Sequence, residues 1–290
     1  MISAMERNES FFCEGPKGLN IHGRRWPCAS PKATILGVHG YSEHSGRYRH
    51  VAEFLNDHDY DVIFIDLPGH GLSEGKRNNI SDFNHYVVAI EALVKEAIRE
   101  GARRPLHLFA HSLGGLAAIR FIQTSVLKSE ISSLTLSGPL LGLSRYSQAM
   151  LPLLRLFTTI IPNITLQNKN ELGSNVLTHD VEMMKMRESD PLVNSVVTTH
   201  WVREFLNARI AAFREVEKIK LPVGVFKGEV ERVVSGAEIE RFYALIPHAQ
   251  KKMVTYPGML HEIVNEVERW RVLNDLVDWF DSQTITGVSL

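Results

Sequence analysis

Cysteines are scarce in this sequence, and its positive and negative charges nearly cancel. Its 290 residues include only two cysteines, Cys13 and Cys28, which argues against a disulfide scaffold and indicates two free thiols in a reducing cytoplasm. The formal net charge is −1 and no long run of one sign occurs. We therefore expect no nucleic-acid partner and no polybasic membrane anchor.

Long apolar runs are also missing. No stretch approaches the ~18 consecutive apolar residues of a membrane-spanning helix. The beginning of the sequence lacks the basic region and apolar core of a signal peptide. These absences predict a soluble, cytoplasmic protein.

What the sequence does contain is a series of short, continuous apolar runs. Hydrophobic residues make up 44% of the chain, enough for one large α/β domain with an insertion or for two small domains. Continuous apolarity predicts strands that are covered on both faces, as in a mostly parallel sheet. An opening hairpin is predicted within residues 11–26. The further predicted strands are residues 33–38, 61–65, 106–109, 134–136, 222–226 and 252–256.

Helical patterns alternate with these strands. Residues 267–280, for example, place Trp270, Leu273, Val277 and Phe280 on one apolar stripe. The alternation predicts a doubly wound α/β sheet with helices on both faces and ligands beyond the carboxyl ends of the strands. The other predicted helices are residues 49–56, 83–100 and 112–127.

The alternation breaks between about residues 140 and 214, where no clear strand is predicted. We interpret residues 140–214 as a helical cap, or lid, inserted into a core formed by residues 1–139 and 215–290. Residues 148–161 are almost wholly apolar, with a single arginine as their only charge. Two alternatives remain for this helix. It is either a buried crossing helix or a lipid-facing lid in which Leu154 and Phe157 line an acyl pocket.

Ser112 stands between a predicted strand and a predicted helix. The small residues Ala110 and Gly114 flank it two positions away on either side, as the tight turn of a nucleophile elbow requires. Such a turn exposes the serine hydroxyl beside the first N–H groups of the helix. The alternative is an ordinary strand–turn–helix junction in which the serine caps the helix.

A serine becomes a good nucleophile only when a base takes its proton and an acid holds that base. In this sheet architecture both partners follow the serine, acid first, each after a later strand. His261 follows the last predicted strand and precedes the final helix. Glu229 and Glu231 both follow the strand at 222–226, and we choose Glu231, three residues after Gly228. The alternative is that both glutamates are solvated loop residues.

Two backbone amides are candidates for stabilising a negative oxygen next to the serine. One is the N–H of Leu113, directly after the serine. The other is the N–H of Tyr41, in the loop after the strand at 33–38, where Gly40 lets the main chain approach closely. A plain tight turn is the structural alternative for this loop.

Three motifs resemble the monoacylglycerol lipase and lysophospholipase branch of the α/β-hydrolase superfamily. They are HGYSEHSGRY at residues 39–48, DLPGHGLSEG at 66–75 and HSLGG at 111–115, and the similarity extends over roughly residues 10–282. The sequence departs from the family's pattern at Ala110, where a glycine is usual, and at Glu231, where an aspartate is typical.

The resemblance implies an α/β-hydrolase fold, with a mostly parallel central sheet, helices on both faces and an inserted helical lid. Ser112 would be the nucleophile, His261 the general base and Glu231 the acid. The amides of Tyr41 and Leu113 would form the oxyanion hole. No metal or organic cofactor is implied. Glu43 and Arg47 would shape the polar end of the substrate pocket, and His111 would also line that pocket.

The predicted function is that of a serine ester hydrolase acting through an acyl-enzyme on single-chain lipid esters, such as a monoacylglycerol or a lysophospholipid. The lid would make transient contact with a membrane surface. Two alternative functions remain. One is a small-ester carboxylesterase without lipid preference, and the other is a catalytically impaired hydrolase fold that serves as a ligand receptor.

Overall fold

The computed structural model describes residues 8–144, 150–161, 164–167, 176–194 and 196–286. Residues 145–149, 162–163, 168–175 and 195 of the predicted cap lie outside this description, as do both ends of the predicted core. Cys13 and Cys28 are unbridged, as expected. In the described part of the chain, no helix is both long and apolar enough to cross a membrane.

The strands coincide closely with the apolar runs of the sequence. The opening hairpin is present, and each of the predicted inner strands forms. In order, the strands are β1 (Glu9–Glu14), β2 (Asn20–Trp26), β3 (Ala33–Val38), β4 (Tyr60–Ile65), β5 (Leu106–His111), β6 (Ile131–Ser137), β7 (Thr165–Gln167), β8 (Val196–Thr198), β9 (Val223–Gly228) and β10 (Lys251–Tyr256).

The four helices that were predicted for the core are present, and a further core helix at residues 236–245 was not predicted. The first matches residues 49–56, and the last extends beyond its predicted end. In order, the α-helices are α1 (Arg49–Asn56), α2 (Asn84–Arg99), α3 (Leu113–Thr124), α4 (Leu151–Ile160), α5 (Val181–Ser189), α6 (Thr199–Arg214), α7 (Gly236–Leu245) and α8 (Arg269–Thr286).

Within the described residues, eight strands form one sheet in the order β1-β2-β4-β3-β5-β6-β9-β10. The pairs β1–β2 and β2–β4 are antiparallel, and the remaining pairs are parallel. Apolar residues of the inner strands are divided between two buried clusters. Leu36 belongs to the cluster with α2, α3 and α6, and its neighbour Ile35 to the cluster with α1 and α8. Both faces of the sheet are therefore covered, and the predicted α/β-hydrolase fold class is confirmed.

The segment between β6 and β9 is helical, with α4, α5 and α6, but it is not free of strands. Residues of β7 pair antiparallel with residues of β8. The expectation that no clear strand occurs here was wrong, because a strand of three residues is too short to produce a periodic pattern.

Helix α4 is buried on one side only. Leu151 is 7% exposed and Leu154 packs partly against the core. By contrast, Leu153 is 68% and Ile160 is 69% exposed. The structure therefore does not support a crossing helix that is buried all round.

Candidate active site

Ser112 lies in the turn between β5 and α3. Its φ is +50° and its ψ −113°, a conformation that costs a non-glycine residue about 1–3 kcal/mol. Backbone hydrogen bonds hold the turn. The Ser112 N–H donates to Ser137 O at 2.9 Å, and Ser112 O accepts from the N–H groups of Leu116 at 3.2 Å and Leu140 at 2.9 Å. The surrounding chain thus fixes the hydroxyl at the carboxyl end of β5.

Close packing explains why the residues next to this turn are small. A Cβ atom at Gly114 would lie 2.4 Å from the carbonyl oxygen of His39, and one at Gly115 would lie 2.9 Å from Cβ of Pro139. Ala110 is fully buried within β5. The elbow therefore accepts alanine at 110, whereas the side after the serine requires glycine.

The structure brings Ser112, His261 and Glu231 together in one hydrogen-bonded row. Nε2 of His261 lies 2.9 Å from Oγ of Ser112, and Nδ1 lies 2.9 Å from Oε2 of Glu231. The other carboxylate oxygen of Glu231 accepts the N–H groups of Val233 at 3.0 Å and Val234 at 3.2 Å. A carboxylate only accepts, so Nδ1 of His261 carries a proton and Nε2 is left to accept the serine O–H.

Glu229, the other candidate acid, lies elsewhere. It is exposed, and its carboxylate accepts the N–H of Gly258 at 3.1 Å. Of the two glutamates in this loop, Glu231 is the one in contact with the imidazole of His261.

Burial and neighbouring charges shift the pKa values of His261 and Glu231. Burial by itself lowers the pKa of His261, but the negative charge and hydrogen bond of Glu231 outweigh it and hold that pKa above the usual 6.5. Burial raises the pKa of Glu231, yet the charge and hydrogen bond of His261 and the two backbone amides bring it below its usual value. The arrangement stabilises an imidazolium beside a carboxylate, which is the state formed when the histidine takes a proton.

The two predicted oxyanion donors lie on either side of the serine. Leu113 is the first residue of α3, and N–H groups in a first helical turn have no partner within the helix. Gly40 brings the other segment close, since a Cβ there would lie 3.1 Å from Cβ of Ser112 and 3.1 Å from Cδ2 of His111. Tyr41 lines the same cavity as the serine. The placement is compatible with the predicted oxyanion hole, which stays a prediction.

The side chain of Tyr41 ties this loop to the segment between β6 and β9. Its ring lies 4.2 Å from that of Trp201, measured between centroids. Its hydroxyl is within hydrogen-bonding distance of the carbonyl oxygens of Asn78, at 2.9 Å, and Val196, at 2.7 Å. The side chain of Tyr41 is therefore held by a core residue, Asn78, and by residues of the segment between β6 and β9.

Glu43 and Arg47 form a buried ionic cluster together with Glu262, which the sequence analysis missed. Arg47 donates to Oε2 of Glu43 at 3.0 Å and to both oxygens of Glu262, at 3.0 and 2.8 Å. Tyr48 and the N–H of Gly40 also donate to Glu43. Adjacency to the predicted base His261 was the one sequence signal for Glu262. With two carboxylates and one guanidinium, the cluster places net negative charge beside the cavity.

His111 lines the cavity as an uncharged side chain. Burial, and the positive charge of His261, lower its pKa to about 4. Its ring centroid is 4.8 Å from that of His261, and its Nδ1 lies 3.1 Å from Oγ of Ser137.

A cavity of about 50 Å³ opens on the serine hydroxyl. Leu154 and Phe157 are not among the described residues that line it, so their place in an acyl pocket stays a prediction. Among those described residues, no group of three metal-ligating side chains is arranged to hold a metal ion. The lining residues are Gly40, Tyr41, Glu43, His111, Ser112, Leu177, Arg187, Val233, His261 and Glu262.

The His261–Glu231 contact yields a direct prediction. Glu231→Gln removes the negative charge that raises the pKa of His261, so the imidazole should titrate at lower pH than in the unmodified protein. The measurement is a proton NMR titration, with the His261 signal assigned from a His261→Ala variant. Glu229→Gln is the matched control and should leave the titration unchanged. An equal shift in both variants, or a shift with Glu229→Gln alone, would contradict the assignment of the acid.

Comparisons with known proteins show the family to which the chain belongs. A family model described as "Serine aminopeptidase, S33" matches residues 29–268. The chain is 27% identical over 285 residues to a monoacylglycerol lipase of Mycolicibacterium smegmatis, covering 97% of this chain and 99% of the relative. It is 28% identical over 246 residues to the phospholipase YtpA of Bacillus subtilis, covering 84% of this chain and 93% of the relative.

The fold is shared with solved structures as well. The crystal structure of Paleococcus ferrophilus monoacylglycerol lipase matches with a TM-score of 0.78 and 26% sequence identity, covering 91% of this chain and 99% of that chain. Because the family model spans most of the sequence, the chain belongs to the serine aminopeptidase S33 family, within the α/β-hydrolase superfamily.

Proposed function

We propose that this chain is a serine hydrolase that cleaves single-chain lipid esters, either monoacylglycerols or lysophospholipids, through an acyl-enzyme on Ser112. The broader class is that of the carboxylic ester hydrolases. The observation that carries the proposal is the hydrogen-bonded row from Glu231 through His261 to Ser112, with 2.9 Å at each contact. The lipid ester substrate is supported by the relatives, of which one is named a monoacylglycerol lipase and another a phospholipase.

The proposed mechanism begins with proton transfer. Nε2 of His261 takes the proton of Ser112 as the oxygen attacks the ester carbonyl, and Glu231 stabilises the imidazolium that forms. The negative oxygen of the tetrahedral intermediate accepts the N–H groups of Leu113 and Tyr41. His261 then protonates the departing alcohol, which leaves the acyl group esterified to Ser112. A water molecule, deprotonated by His261, attacks this ester, and His261 returns the proton to Oγ of Ser112 as the fatty acid leaves.

The segment between β6 and β9 has a role in this proposal as a cap. We place the boundaries at residues 140 and 214, with residues 1–139 and 215–290 as the hydrolase core. Helix α4 turns an apolar surface outward, in which Leu153 and Ile160 are 68% and 69% exposed. Exposed apolar surface on one side of a helix is typical of contact with a lipid interface. This surface supports the proposal that the protein is cytoplasmic and binds membranes transiently through α4.

The proposed chemistry is tested by active-site labelling and by substrate chain length. A fluorophosphonate probe should label Ser112, and Ser112→Ala should lose labelling and roughly 10⁴-fold or more of kcat/KM. With the unmodified enzyme, kcat/KM on glycerol monoesters should rise from short to medium and long acyl chains. A preference for the shortest esters would favour a small-ester carboxylesterase. Absence of labelling and turnover in a folded protein would favour a ligand receptor.

The proposed lipid contact of α4 is tested with a double variant. Leu153→Asp with Ile160→Asp places charge at two of the most exposed positions of the helix, so the fold should be retained. We expect about a tenfold loss of activity on long-chain monoacylglycerol in vesicles, because apolar area that enters the interface is removed. Activity on a soluble butyrate ester should stay within about twofold.

The matched control replaces two exposed apolar residues outside α4. Val126 is 86% and Ile285 is 75% exposed, and Val126→Asp with Ile285→Asp should leave both activities unchanged. Equal losses on vesicles and soluble ester in the α4 variant would show that this surface does not contact lipid.

A further inference from the structure

Arg187 brings a second guanidinium to the cavity, near the ionic cluster of Glu43, Arg47 and Glu262. It belongs to α5, in the segment between β6 and β9, whereas Ser112 and His261 follow core strands. Its side chain is partly buried and lines the cavity onto which Ser112 and His261 open. A group on the alcohol part of the substrate, next to the ester, would therefore lie close to the guanidinium of Arg187.

The guanidinium of Arg187 has unused hydrogen-bonding capacity. Its Nε is buried without a partner. Within the ranges that the structure describes, none of the side-chain hydrogen bonds or ion pairs ends on Arg187. Arg47 differs, because its two terminal nitrogens are already engaged by the carboxylates of Glu43 and Glu262. Arg187 is thus the arginine of the cavity that is available to a new acceptor.

In the protein without substrate, the buried guanidinium of Arg187 has a free-energy cost because its Nε–H group lacks an acceptor. Burial lowers the pKa of Arg187 and the like charge of Arg47 lowers it further, while Glu262 and Glu43 raise it. An arginine side chain nevertheless keeps its proton in proteins. A partly desolvated guanidinium with a buried, unpaired N–H gains free energy when an anion arrives to accept from it. The planar fork of guanidinium donors matches the oxygens of a phosphate group in a bidentate manner.

We propose that Arg187 recognises the head group of the substrate, and that the site prefers lipid esters whose alcohol part carries a phosphate, the lysophospholipids, over neutral monoacylglycerols. The inference rests on the proposed function and narrows its substrate class. A rival role for Arg187 is to offset the negative charge of Glu43 and Glu262 without touching the substrate. That role would affect neutral and anionic substrates alike, so the two are separable by experiment.

The experiment compares 1-lauroyl-glycerol with 1-lauroyl-glycerol 3-phosphate, which differ only in the phosphate, below their critical micelle concentrations. The unmodified enzyme should have the lower KM for the phosphate lipid. Arg187→Gln should raise that KM about 10- to 100-fold, as expected for loss of a charged hydrogen-bonded pair. Its KM for 1-lauroyl-glycerol should rise much less, since the neutral head group makes no such pair, so the ratio of the two KM values is the quantity that tests the proposal.

Two further variants sharpen the comparison. Arg187→Lys keeps the charge but loses the fork, and it should raise the KM for the phosphate lipid less than Arg187→Gln does. Lys185→Gln removes a positive charge from an exposed position of the same helix, where Lys185 pairs with Glu182 at 3.0 Å. This control should leave both KM values unchanged, which separates direct contact from a long-range effect of charge.

The outcomes distinguish the inference from the function on which it rests. Equal losses on both lipids in Arg187→Gln, or no loss on either, would overturn the head-group role while leaving lipid ester hydrolysis intact. The same conclusion would follow if the unmodified enzyme had the lower KM for 1-lauroyl-glycerol. Failure of the unmodified enzyme to hydrolyse either lipid would instead refute the proposed function itself.

Discussion

The hydrogen bond between Ser112 and His261 is the contact on which the candidate active site depends. It joins residues that are 149 positions apart in sequence, and it forms because β5 and β10 are parallel strands of one sheet whose carboxyl ends meet at the same edge. The strained backbone of Ser112 is held there by hydrogen bonds to β6 and to the start of the segment that follows it. The fold thus stabilises a local conformation that the serine would not adopt alone.

Buried negative charge is the second constraint on the site. Glu231, Glu262 and Glu43 all raise the pKa of His261, against the opposing effect of burial. Glu231 does so by direct contact, whereas the other two act through space from the cluster around Arg47. The same negative surroundings accommodate a second guanidinium, that of Arg187, at the cavity. Glu262 and Glu43 therefore raise both the pKa of His261 and that of Arg187.

Much of the fold and part of the site could be predicted from the sequence. Inner strands are covered on both faces, so each leaves a continuous apolar run, and residues 33–38 matched β3 at both ends. The strands β7 and β8 were missed because three residues give no periodicity. The placement of Ser112 and His261 followed from strand order. Glu262 had only its adjacency to His261 as a signal, and Arg187 could not be predicted as a cavity residue, because its position there arises from tertiary contacts rather than from a local pattern.

In the proposed function, Ser112, activated by His261, carries the acyl group during turnover. The most direct measurement is rapid acid quench of the enzyme during hydrolysis of a medium-chain monoacylglycerol, followed by mass spectrometry of its peptides. An added acyl mass should appear on the peptide that contains Ser112, and it should be absent in His261→Ala. Turnover with the acyl mass on another residue, or an acyl-Ser112 that accumulates equally fast without His261, would refute the proposed roles of Ser112 and His261.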